Sequence, residues 1–273
     1  MANRGIWMGV AHPYDATVAI WIDSPSWPGH GRLWSHLISD VSIAELHGFA
    51  DRVGLPRRGF EGDHYDVPEQ WYDDLVAAGA LRTDSKDLLA RLTRAGLRLR
   101  KRRGDRGIAI ASDVVFADEA VAHVDLIASP NPAPAERVFC ASVFVRDAEG
   151  NVAVVFSRRR QEWGPPGGWR EKGESPLETA CRETREETGL ELASRLVRPV
   201  GYERFRMVKL GHLGQPDGDL MQVYAVDLDV VRPVLSDGDH GVEGVGWVDP
   251  AQWRRRCSAQ FWWPLAEAVL PDL

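Results

Sequence analysis

The chain has 273 residues, enough for two domains that each bury a core of their own. Its 40 acidic and 33 basic residues give a formal net charge of −7 at pH 7. This charge argues against a general nucleic-acid binder, because an acidic protein repels a phosphate backbone unless it segregates a basic patch.

The cysteines and the lengths of the apolar runs indicate the cellular compartment in which we expect the protein. Three cysteines, Cys140, Cys181 and Cys257, are odd in number and lack the spacing of metal ligands. We therefore expect reduced thiols and a cytoplasmic location, without a disulfide framework. No apolar run reaches the length of a membrane span, and the first residues, interrupted by Asp15, do not resemble a signal peptide. We expect no membrane partner.

Residues 1–104 are predicted to form a small N-terminal α/β domain. The β-branched and aromatic run 17–22 predicts a buried strand that ends at Asp23. A second strand is expected over 57–61, and the alternation of strands and helices is typical of an α/β domain. Helices are expected over 42–53, where Ser42 and Glu45 form a capping box, from Asp66, and from Asp84 or Ser85.

Acidic and imidazole side chains of this half stand where α/β proteins place their sites. Asp23 ends the first strand, and Asp63 and His64 follow the expected second strand. Parallel pairing of the two strands would put both positions at one edge of the sheet. We predict a shared pocket there, with or without a metal, lined by Asp23, His30, Asp63 and His64. The alternative is that each residue only caps a loop or a helix.

Three stretches of this half carry a resemblance to a known domain. They are Trp21 to Gly31, Ser35 to Asp40 and Gly62 to Pro68. Together they resemble an uncharacterised bacterial domain of unknown function, over about residues 17–100. The resemblance implies no activity for this half.

Residues 105–136 are predicted to connect the two halves. The basic run 98–106 is expected to be a solvated face, since such runs usually are. Residues 107–127 hold two short apolar runs that suit strands of either domain. The Pro-rich segment 129–135 predicts a stiff, extended linker. The second domain is therefore expected over 137–273.

The second domain is predicted to open with a β-hairpin formed by 138–145 and 152–156. Arg158 and Arg160 follow it and suit a bidentate clamp on phosphate oxygens. The alternative for either is a salt bridge on a surface strand. Trp163 is a candidate for stacking on a nucleobase, and the alternative is an ordinary core or surface aromatic.

A Gly-Gly loop at 167–168 leads into a short predicted helix that carries three carboxylates. Ser175 and Pro176 suit its N-cap and first position, and Gly189 suits the residue after its end. Spacings of three and four residues place on one edge Glu183, Glu186 and Glu187. Carboxylates this close repel one another unless a cation lies among them, and oxygen ligands suit Mg²⁺ or Mn²⁺. The alternative is an ordinary solvated acidic face.

The spacing of this segment resembles the Nudix box, the signature of the Nudix hydrolase family. Every fixed position is filled, by Gly168, Glu174, Arg182, Glu183, Glu186, Glu187, Gly189 and Leu190. Thr184 is the one departure, because the family usually has an aliphatic residue there, and it loosens packing without removing a ligand. The resemblance covers about residues 137–255.

The resemblance implies the Nudix fold, an α/β/α sandwich in which a mixed sheet carries the catalytic helix. It also implies a divalent cation, Mg²⁺ with Mn²⁺ as the other candidate. The implied metal ligands are Glu183, Glu186, Glu187 and the carbonyl of Gly167.

The resemblance implies roles for the residues around these ligands. Arg182 fixes Glu183, Glu174 ties the loop to the helix near Arg182, and Glu171 has a structural role. The general base of the family comes either from the helix or from a later loop. Within that loop Glu243 is the first candidate, and Asp237 and Asp239 follow it.

Members of the family hydrolyse a diphosphate linkage in a nucleoside diphosphate joined to another group. The resemblance therefore implies a Mg²⁺-dependent hydrolase whose substrate is a nucleotide-type small molecule, such as ADP-ribose, a nucleotide sugar or a nucleoside triphosphate. Two alternatives stay open. One is a nucleotide-sensing regulatory protein, and the other is a bifunctional enzyme with a second activity in the N-terminal domain. The sequence selects neither the substrate nor the oligomeric state.

Overall fold

The structure of the protein is a computed structural model that describes residues 20–214, 216–236 and 242–270. It is a mixed α/β protein with two sheets and six α-helices among these residues, which confirms the predicted fold class. No helix in the described ranges is long and apolar enough to cross a membrane.

The chain divides into two compact units, each with its own sheet and core. Among the described residues, the N-terminal unit contains 20–60 together with 64–98. The C-terminal unit contains 61–63 and the described residues from Leu99 to Leu270. Within the C-terminal unit, the short segment 61–63 is fixed by close backbone packing, because a Cβ on Gly62 would lie 2.9 Å from the backbone of Gly107.

The N-terminal unit is a five-stranded sheet with three helices. Its elements are β1 (Ile20–Asp23), β2 (Trp27–Gly29), β3 (Arg32–Ser39), α1 (Ile43–Val53), β4 (Tyr65–Pro68), α2 (Tyr72–Ala77), β5 (Leu81–Thr83) and α3 (Ser85–Arg94). Strand β3 pairs antiparallel with β1, β2 and β4, while β1 and β5 run parallel. The core under the sheet includes Ile20, Ile22, Leu46 and Phe49.

Two helices of this unit begin at the predicted caps. The Ser42 hydroxyl accepts a hydrogen bond from the Glu45 N–H at 3.1 Å and starts α1. The Asp84 carboxylate accepts from the N–H groups of Lys86 and Asp87, both at 2.9 Å, and starts α3. These bonds satisfy N–H groups that have no partner within the helix.

Three segments of this unit differ from the sequence analysis. Residues Arg57–Gly59 form a 3-10 turn and not a strand, because the Gly59 N–H bonds back to the Pro56 carbonyl at 3.0 Å. Asp66 lies within β4 and does not begin a helix, since its neighbours Tyr65 and Val67 both turn into the core. Strand β3, which was not predicted from the sequence, is the centre of the sheet.

The C-terminal unit is a nine-stranded sheet with three helices. The strands are β6 (Arg106–Val115), β7 (Val121–Ala128), β8 (Val138–Arg146), β9 (Val152–Ser157), β10 (Glu162–Gly164), β11 (Gly167–Trp169), β12 (Arg198–Lys209), β13 (Leu220–Asp227) and β14 (Val242–Val248). The helices are α4 (Pro176–Thr188), α5 (Pro250–Cys257) and α6 (Trp263–Val269). The order is β10-β9-β8-β13-β12-β7-β6, with β11 on β8 and β14 on β9. Strands β8 and β13 run parallel, so the sheet is mixed.

Helices cover both faces of this sheet. Val143 and Phe144 are adjacent in β8, so their side chains enter opposite cores. The core that contains Val143 includes Ala180 of α4. The core that contains Phe144 includes Trp253 of α5 and Trp263 of α6, whose rings lie 5.1 Å apart. The unit is therefore a three-layer α/β/α sandwich, as the sequence analysis expected.

Two strands of this sheet come from the segment predicted to connect the halves. Strand β7 pairs with β12, and β6 pairs with the other edge of β7. Asp125 of β7 is fully buried and accepts hydrogen bonds at 2.9 Å from Arg204 Nε and Arg206 Nη2 of β12. A buried carboxylate requires such partners, so this contact fixes β7 to the sheet.

The Pro-rich segment 129–135 is packed within the C-terminal unit and is not a free linker. The Arg102 guanidinium donates to the Pro132 carbonyl at 2.8 Å and to the Ser129 hydroxyl at 3.0 Å. The Ala133 N–H donates to Gln222 Oε1 at 2.6 Å. The prolines restrict the backbone of this segment, and these hydrogen bonds attach it to the rest of the unit.

A fragment that begins at Leu99 is expected to fold, whereas one that begins at residue 137 is not. The shorter fragment lacks β6 and β7 and loses the burial of Val124 and Leu126, each worth about 1.5–3 kcal/mol. Circular dichroism melting of both fragments beside the full chain measures the difference. A cooperative melt of the shorter fragment within a few degrees of the longer one would contradict the role of β7.

Candidate functional site

Helix α4 carries the acidic edge predicted from the sequence. Its start is a capping box, in which the Ser175 hydroxyl accepts from the Glu178 N–H at 3.3 Å and the Glu178 carboxylate accepts from the Ser175 N–H at 2.6 Å. It ends at Gly189 in the left-handed conformation, φ 75°. Thr184, the departure from the family pattern, donates its hydroxyl to the Ala180 carbonyl at 2.8 Å. Its polar group is therefore satisfied inside the helix.

The guanidinium of Arg182 is the centre of the site. Its Nε and Nη2 donate to the two oxygens of Glu174 at 2.7 and 3.1 Å. Its Nη1 donates to Glu183 Oε1 and to Glu186 Oε2, both at 2.9 Å. Nη2 also donates to the Trp169 carbonyl at 3.0 Å. One cation therefore holds three carboxylates together and fixes the loop to the helix.

Glu174 is the most strongly bound of these carboxylates. Hydrogen bonds from Arg182 lower its pKa to about 2, with help from the Glu171 N–H at 3.0 Å and the Thr179 hydroxyl at 2.9 Å. Its bonds with Arg182 and Thr179 join the loop to the helix, and its bond with Glu171 lies within the loop. Glu171 contributes through its backbone, in keeping with the structural roles expected for both residues.

The two glycines of the loop allow close contact between loop, sheet and helix. The Gly167 N–H donates to Glu187 Oε2 at 2.9 Å. A Cβ on Gly167 would lie 2.5 Å from the backbone oxygen of Ala141, and a Cβ on Gly168 would lie 2.4 Å from the carboxylate of Glu183. At Gly167 a side chain would therefore collide with the backbone of β8. At Gly168 it would collide with the carboxylate of Glu183.

The two carboxylates nearest the loop are poorly compensated. Burial raises the pKa of Glu187 to about 7, against the opposing hydrogen bond from Gly167. Burial also raises the pKa of Glu183 despite its contact with Arg182. Both would be stabilised in the charged form by an added cation.

A further carboxylate, which the sequence analysis missed, lines the same cavity. Glu203 of β12 is 2% exposed, and its Oε2 has no hydrogen-bond partner among the described residues. Burial raises its pKa to about 8. An unpaired buried polar atom costs about 1–3 kcal/mol, which favours a role in binding. The sequence did carry an indication of this role. Phe205 and Met207 follow Glu203 at every second position of β12, so the three side chains lie on the same face of the strand, and all three line the cavity.

The carboxylates border one cavity of about 1070 Å³. Its sheet wall is a row across four strands, in which Glu203 pairs with Met221, Met221 with Cys140, and Cys140 with Trp169. Paired residues of neighbouring strands point to the same face of a sheet. On the helix side Glu183 and Glu187 of α4 line the cavity, and Arg160 lies at the lining as well.

The donor atoms that meet here are oxygens. Carboxylates of α4 and the unpaired oxygen of Glu203 suit a hard divalent cation such as Mg²⁺ or Mn²⁺. The unpaired oxygen and the raised pKa of Glu187 both fit a group that brings positive charge. The residues present therefore fit the cation that the box implies.

Arg158 and Glu243, both predicted for the site, pair with each other outside the cavity lining. Arg158 Nε donates to Glu243 Oε1 at 3.2 Å, in a surface pair whose side chains are 64% and 45% exposed. Glu243 lies within β14 and not in the loop expected for it. The other candidates for the base, Asp237 and Asp239, lie outside the described residues. Glu186 is also absent from the lining.

The other two predicted substrate-binding residues have different surroundings. Arg160 lines the cavity and forms a salt bridge with Glu162 at 2.9 Å. Trp163 packs on Phe156, with ring centroids 5.3 Å apart, and its ring lies 4.5 Å below the Arg256 guanidinium. It is not among the lining residues, whereas Trp169 is.

The pocket predicted in the N-terminal half is only partly assembled. His30 lies in the turn between β2 and β3 with φ 50°. Asp63 belongs to the C-terminal unit, where it accepts a hydrogen bond from the Leu99 N–H at 2.8 Å. The expected strand over 57–61, on which the grouping depended, is a turn followed by a single bridge residue.

The other two residues of that pocket lie close to partners that the prediction left out. Asp23 contacts His36, and His64 contacts Asp66, all within the N-terminal unit. His36 lies within β3, a strand that was not predicted from the sequence. The four side chains form one chain of contacts.

Comparisons with known proteins match both units. Residues 136–272, half of the chain, match the family model described as NUDIX domain. Residues 20–95 match the model described as Protein of unknown function (DUF4031). These matches confirm the two resemblances noted from the sequence.

Individual relatives cover smaller shares. The asymmetrical bis(5'-nucleosyl)-tetraphosphatase of Mus musculus is 57% identical over 42 residues, 15% of this chain and 28% of that protein, so the chain covers well under half of the relative. A mutant of the pyrophosphohydrolase BsRppH of Bacillus subtilis is 20% identical at a TM-score of 0.37, over 51% of this chain and 76% of that chain. The NUDIX domain of Shewanella oneidensis NrtR, complexed with ADP ribose, is 15% identical at a TM-score of 0.37, over 49% and 89%.

Alanine at the two glycines should lower the stability to different extents. Gly167→Ala meets backbone atoms, so we expect it to lower the free energy of unfolding by at least about 2 kcal/mol. Gly168→Ala meets the end of a flexible side chain, so we expect a loss below about 1 kcal/mol but weaker Mn²⁺ binding. Urea unfolding and Mn²⁺ titration by electron paramagnetic resonance measure these. The reverse order of stabilities would show that the loop is placed differently.

Glu174→Gln should destabilise the metal-free protein by about 2 kcal/mol at pH 7. The folded-state pKa is lowered, so the ionised pair contributes fully above the ordinary carboxyl range and is lost as the pH falls toward 2. The difference between the parent and the variant should fall to about half near pH 3. Urea unfolding with EDTA across this range measures it, with exposed Glu191→Gln as the control. A pH-independent difference would exclude the charged pair as its cause.

Proposed function

The chain belongs to the Nudix family, and on that premise we propose that its C-terminal unit hydrolyses a diphosphate bond in a nucleoside diphosphate linked to another group. The observation that carries the proposal is the cluster of carboxylates around Arg182. One member of it, Glu183, lines a cavity of about 1070 Å³ together with Glu187 and Glu203. Small-molecule sites usually measure about 300–1,000 Å³, so a nucleotide-type substrate fits.

The proposed cofactor is Mg²⁺, with Mn²⁺ as a substitute. Its proposed ligands are Glu183, Glu186, Glu187 and the carbonyl oxygen of Gly167, with Glu203 close by in the same cavity. When bound, the cation neutralises charge on the phosphates and lowers the pKa of a water molecule. The poor compensation of these carboxylates in the protein alone supports this assignment.

The protein's own residues set up the site before any substrate enters. Arg182 keeps Glu183 and Glu186 together against their mutual repulsion. The Gly167 N–H fixes one oxygen of Glu187 and thereby orients the other. Arg160, at the cavity lining, is the proposed clamp for phosphate oxygens, and its guanidinium offsets only part of the rise that burial causes in the pKa of Glu203.

We propose Glu203 as the general base, in place of Glu243. Its Oε2 has no hydrogen-bond partner among the described residues and is available to accept a proton from the attacking water. A pKa of about 8 is close to neutrality, where general bases work best. Glu243 instead shares an exposed ion pair with Arg158.

The nucleobase is proposed to stack on Trp169 and not on Trp163. Trp169 lines the cavity, is 43% exposed and lies 5.3 Å from Phe139, another lining aromatic. An exposed ring beside a cavity has a free face for stacking. The complete set of box residues also favours an enzyme over a nucleotide sensor, since a sensor has no use for all of them together.

Glu187→Gln is expected to lower turnover by at least 100-fold, a barrier change of about 2.7 kcal/mol, because it removes a metal ligand. The free energy of unfolding should change by less than about 1 kcal/mol, since Gln can keep the contact with Gly167. Steady-state hydrolysis with Mg²⁺ measures this beside Glu191→Gln, an exposed control. Turnover within about threefold of the parent would refute the metal role.

Glu203→Gln and Glu243→Gln together separate the two candidates for the base. The first should lower kcat by about 10²–10⁴-fold, with KM nearly unchanged and unfolding free energy equal or higher. The second should leave kcat within about threefold. Steady-state kinetics of both variants decides, and the opposite pattern would return the role to the loop.

A further inference from the structure

A cluster of two imidazoles and a carboxylate in the N-terminal unit takes no part in the function proposed above. His64 Nε2 lies 3.2 Å from Asp66 Oδ1, and His36 Nε2 lies 4.0 Å from the same oxygen. One ligand atom from each residue lies within 4.8 Å of the others. Tetrahedral ligands at bonds of about 2.0–2.1 Å lie roughly 3.3 Å apart, so these separations suit one cation.

The sheet itself brings the three residues to one face. His36 of β3 is the direct partner of Asp66 in β4. Directly opposed residues of antiparallel strands project from the same face, and His64, two residues before Asp66, follows the same alternation. The side chains of His36, His64 and Asp66 are 25%, 13% and 42% exposed, so solvent ions reach them.

Asp23 holds His36 in the orientation of a metal ligand. The fully buried carboxylate accepts from the His36 N–H at 2.6 Å, and its other oxygen lies 3.1 Å from His36 Nδ1. The Ser85 hydroxyl and the Trp27 indole donate to that second oxygen at 2.6 and 3.3 Å. With the ring proton on Nδ1, the unprotonated Nε2 faces Asp66 and can serve as a metal ligand. Metal-bound histidines usually donate their other ring N–H to a carboxylate in this way.

We propose that His36, His64 and Asp66 bind a first-row transition cation of the Zn²⁺ class, with Asp23 as the positioning residue behind His36. Two imidazole nitrogens and one carboxylate oxygen favour such a cation over Mg²⁺, which prefers oxygen ligands only. Three protein ligands leave a coordination position for water or a ligand atom, as in catalytic zinc sites and unlike closed structural ones. A His64–Asp66 ion pair alone would not require a second imidazole oriented by a buried carboxylate.

The test uses the full chain carrying Glu187→Gln, so that the carboxylates of α4 do not obscure the result. After EDTA treatment and its removal, equilibrium dialysis against Zn²⁺ with elemental mass spectrometry gives stoichiometry and affinity. Co²⁺ absorption reports nitrogen ligands, because octahedral oxygen-only sites absorb far more weakly. We expect one equivalent of Zn²⁺ and an intense visible Co²⁺ band.

Variants in this background assign the site. His64→Ala and Asp66→Asn should each weaken Zn²⁺ binding at least 10-fold, and Asp23→Asn by about 10–100-fold with a shifted Co²⁺ spectrum. The melting temperature of the metal-free Asp23→Asn protein should stay within a few degrees of its parent, which separates positioning from stability. His30→Asn is the control, since asparagine tolerates the left-handed backbone there.

Three results would overturn the proposal. The first is the absence of Zn²⁺ binding by the full chain. The second is an unchanged Zn²⁺ affinity in folded Asp66→Asn, which is nearly isosteric and decides the matter if His64→Ala does not fold. The third is an equal loss in His30→Asn, because binding would then be non-specific.

Discussion

The C-terminal site depends on one interaction, the contact of the Arg182 guanidinium with three carboxylates and a loop carbonyl. Without it, Glu183 and Glu186 would repel each other one turn apart on the helix. The guanidinium compensates that repulsion only in part, because two of its nitrogen atoms, Nε and Nη2, donate hydrogen bonds to Glu174. The result is a cluster that is stable enough to fold and still negative enough to bind a cation.

The sheet supplies what the helix cannot. Strand β11 hydrogen-bonds to β8 and places the Gly167 N–H against Glu187, while β12 brings Glu203 to the opposite wall of the cavity. In the N-terminal unit, strand pairing also brings polar side chains together, since His36 of β3 pairs with Asp66 of β4. The two sites therefore differ in the cations they suit, oxygen-only in one and mixed nitrogen and oxygen in the other.

The sequence predicted best where information is local. Caps at Ser42, Asp84 and Ser175, and the spacing of the box, depend on neighbours within one or two turns. It failed where long-range pairing decides. Alternation along β12 indicates which face of the strand carries Glu203, but no neighbouring residue indicates that this face lines the same cavity as Glu183 and Glu187. Strand β3, which contains His36, depends likewise on its pairing with β1 and β4. The segment 129–135 was predicted to be a linker because its proline content does not reveal the tertiary hydrogen bonds that hold it in place.

The central claim is that a divalent cation held by these carboxylates serves the cleavage of a phosphoric anhydride. The most direct measurement is incubation of the full chain in oxygen-18 water with ADP-ribose, a nucleotide sugar, a nucleoside triphosphate and a dinucleoside tetraphosphate, with Mg²⁺, with Mn²⁺ or with EDTA. Mass spectrometry of the products follows the label. The account predicts metal-dependent cleavage of at least one substrate, with one oxygen-18 atom in a phosphate product. Turnover that persists in EDTA, or no turnover of any of them by folded protein that binds Mn²⁺, would contradict it.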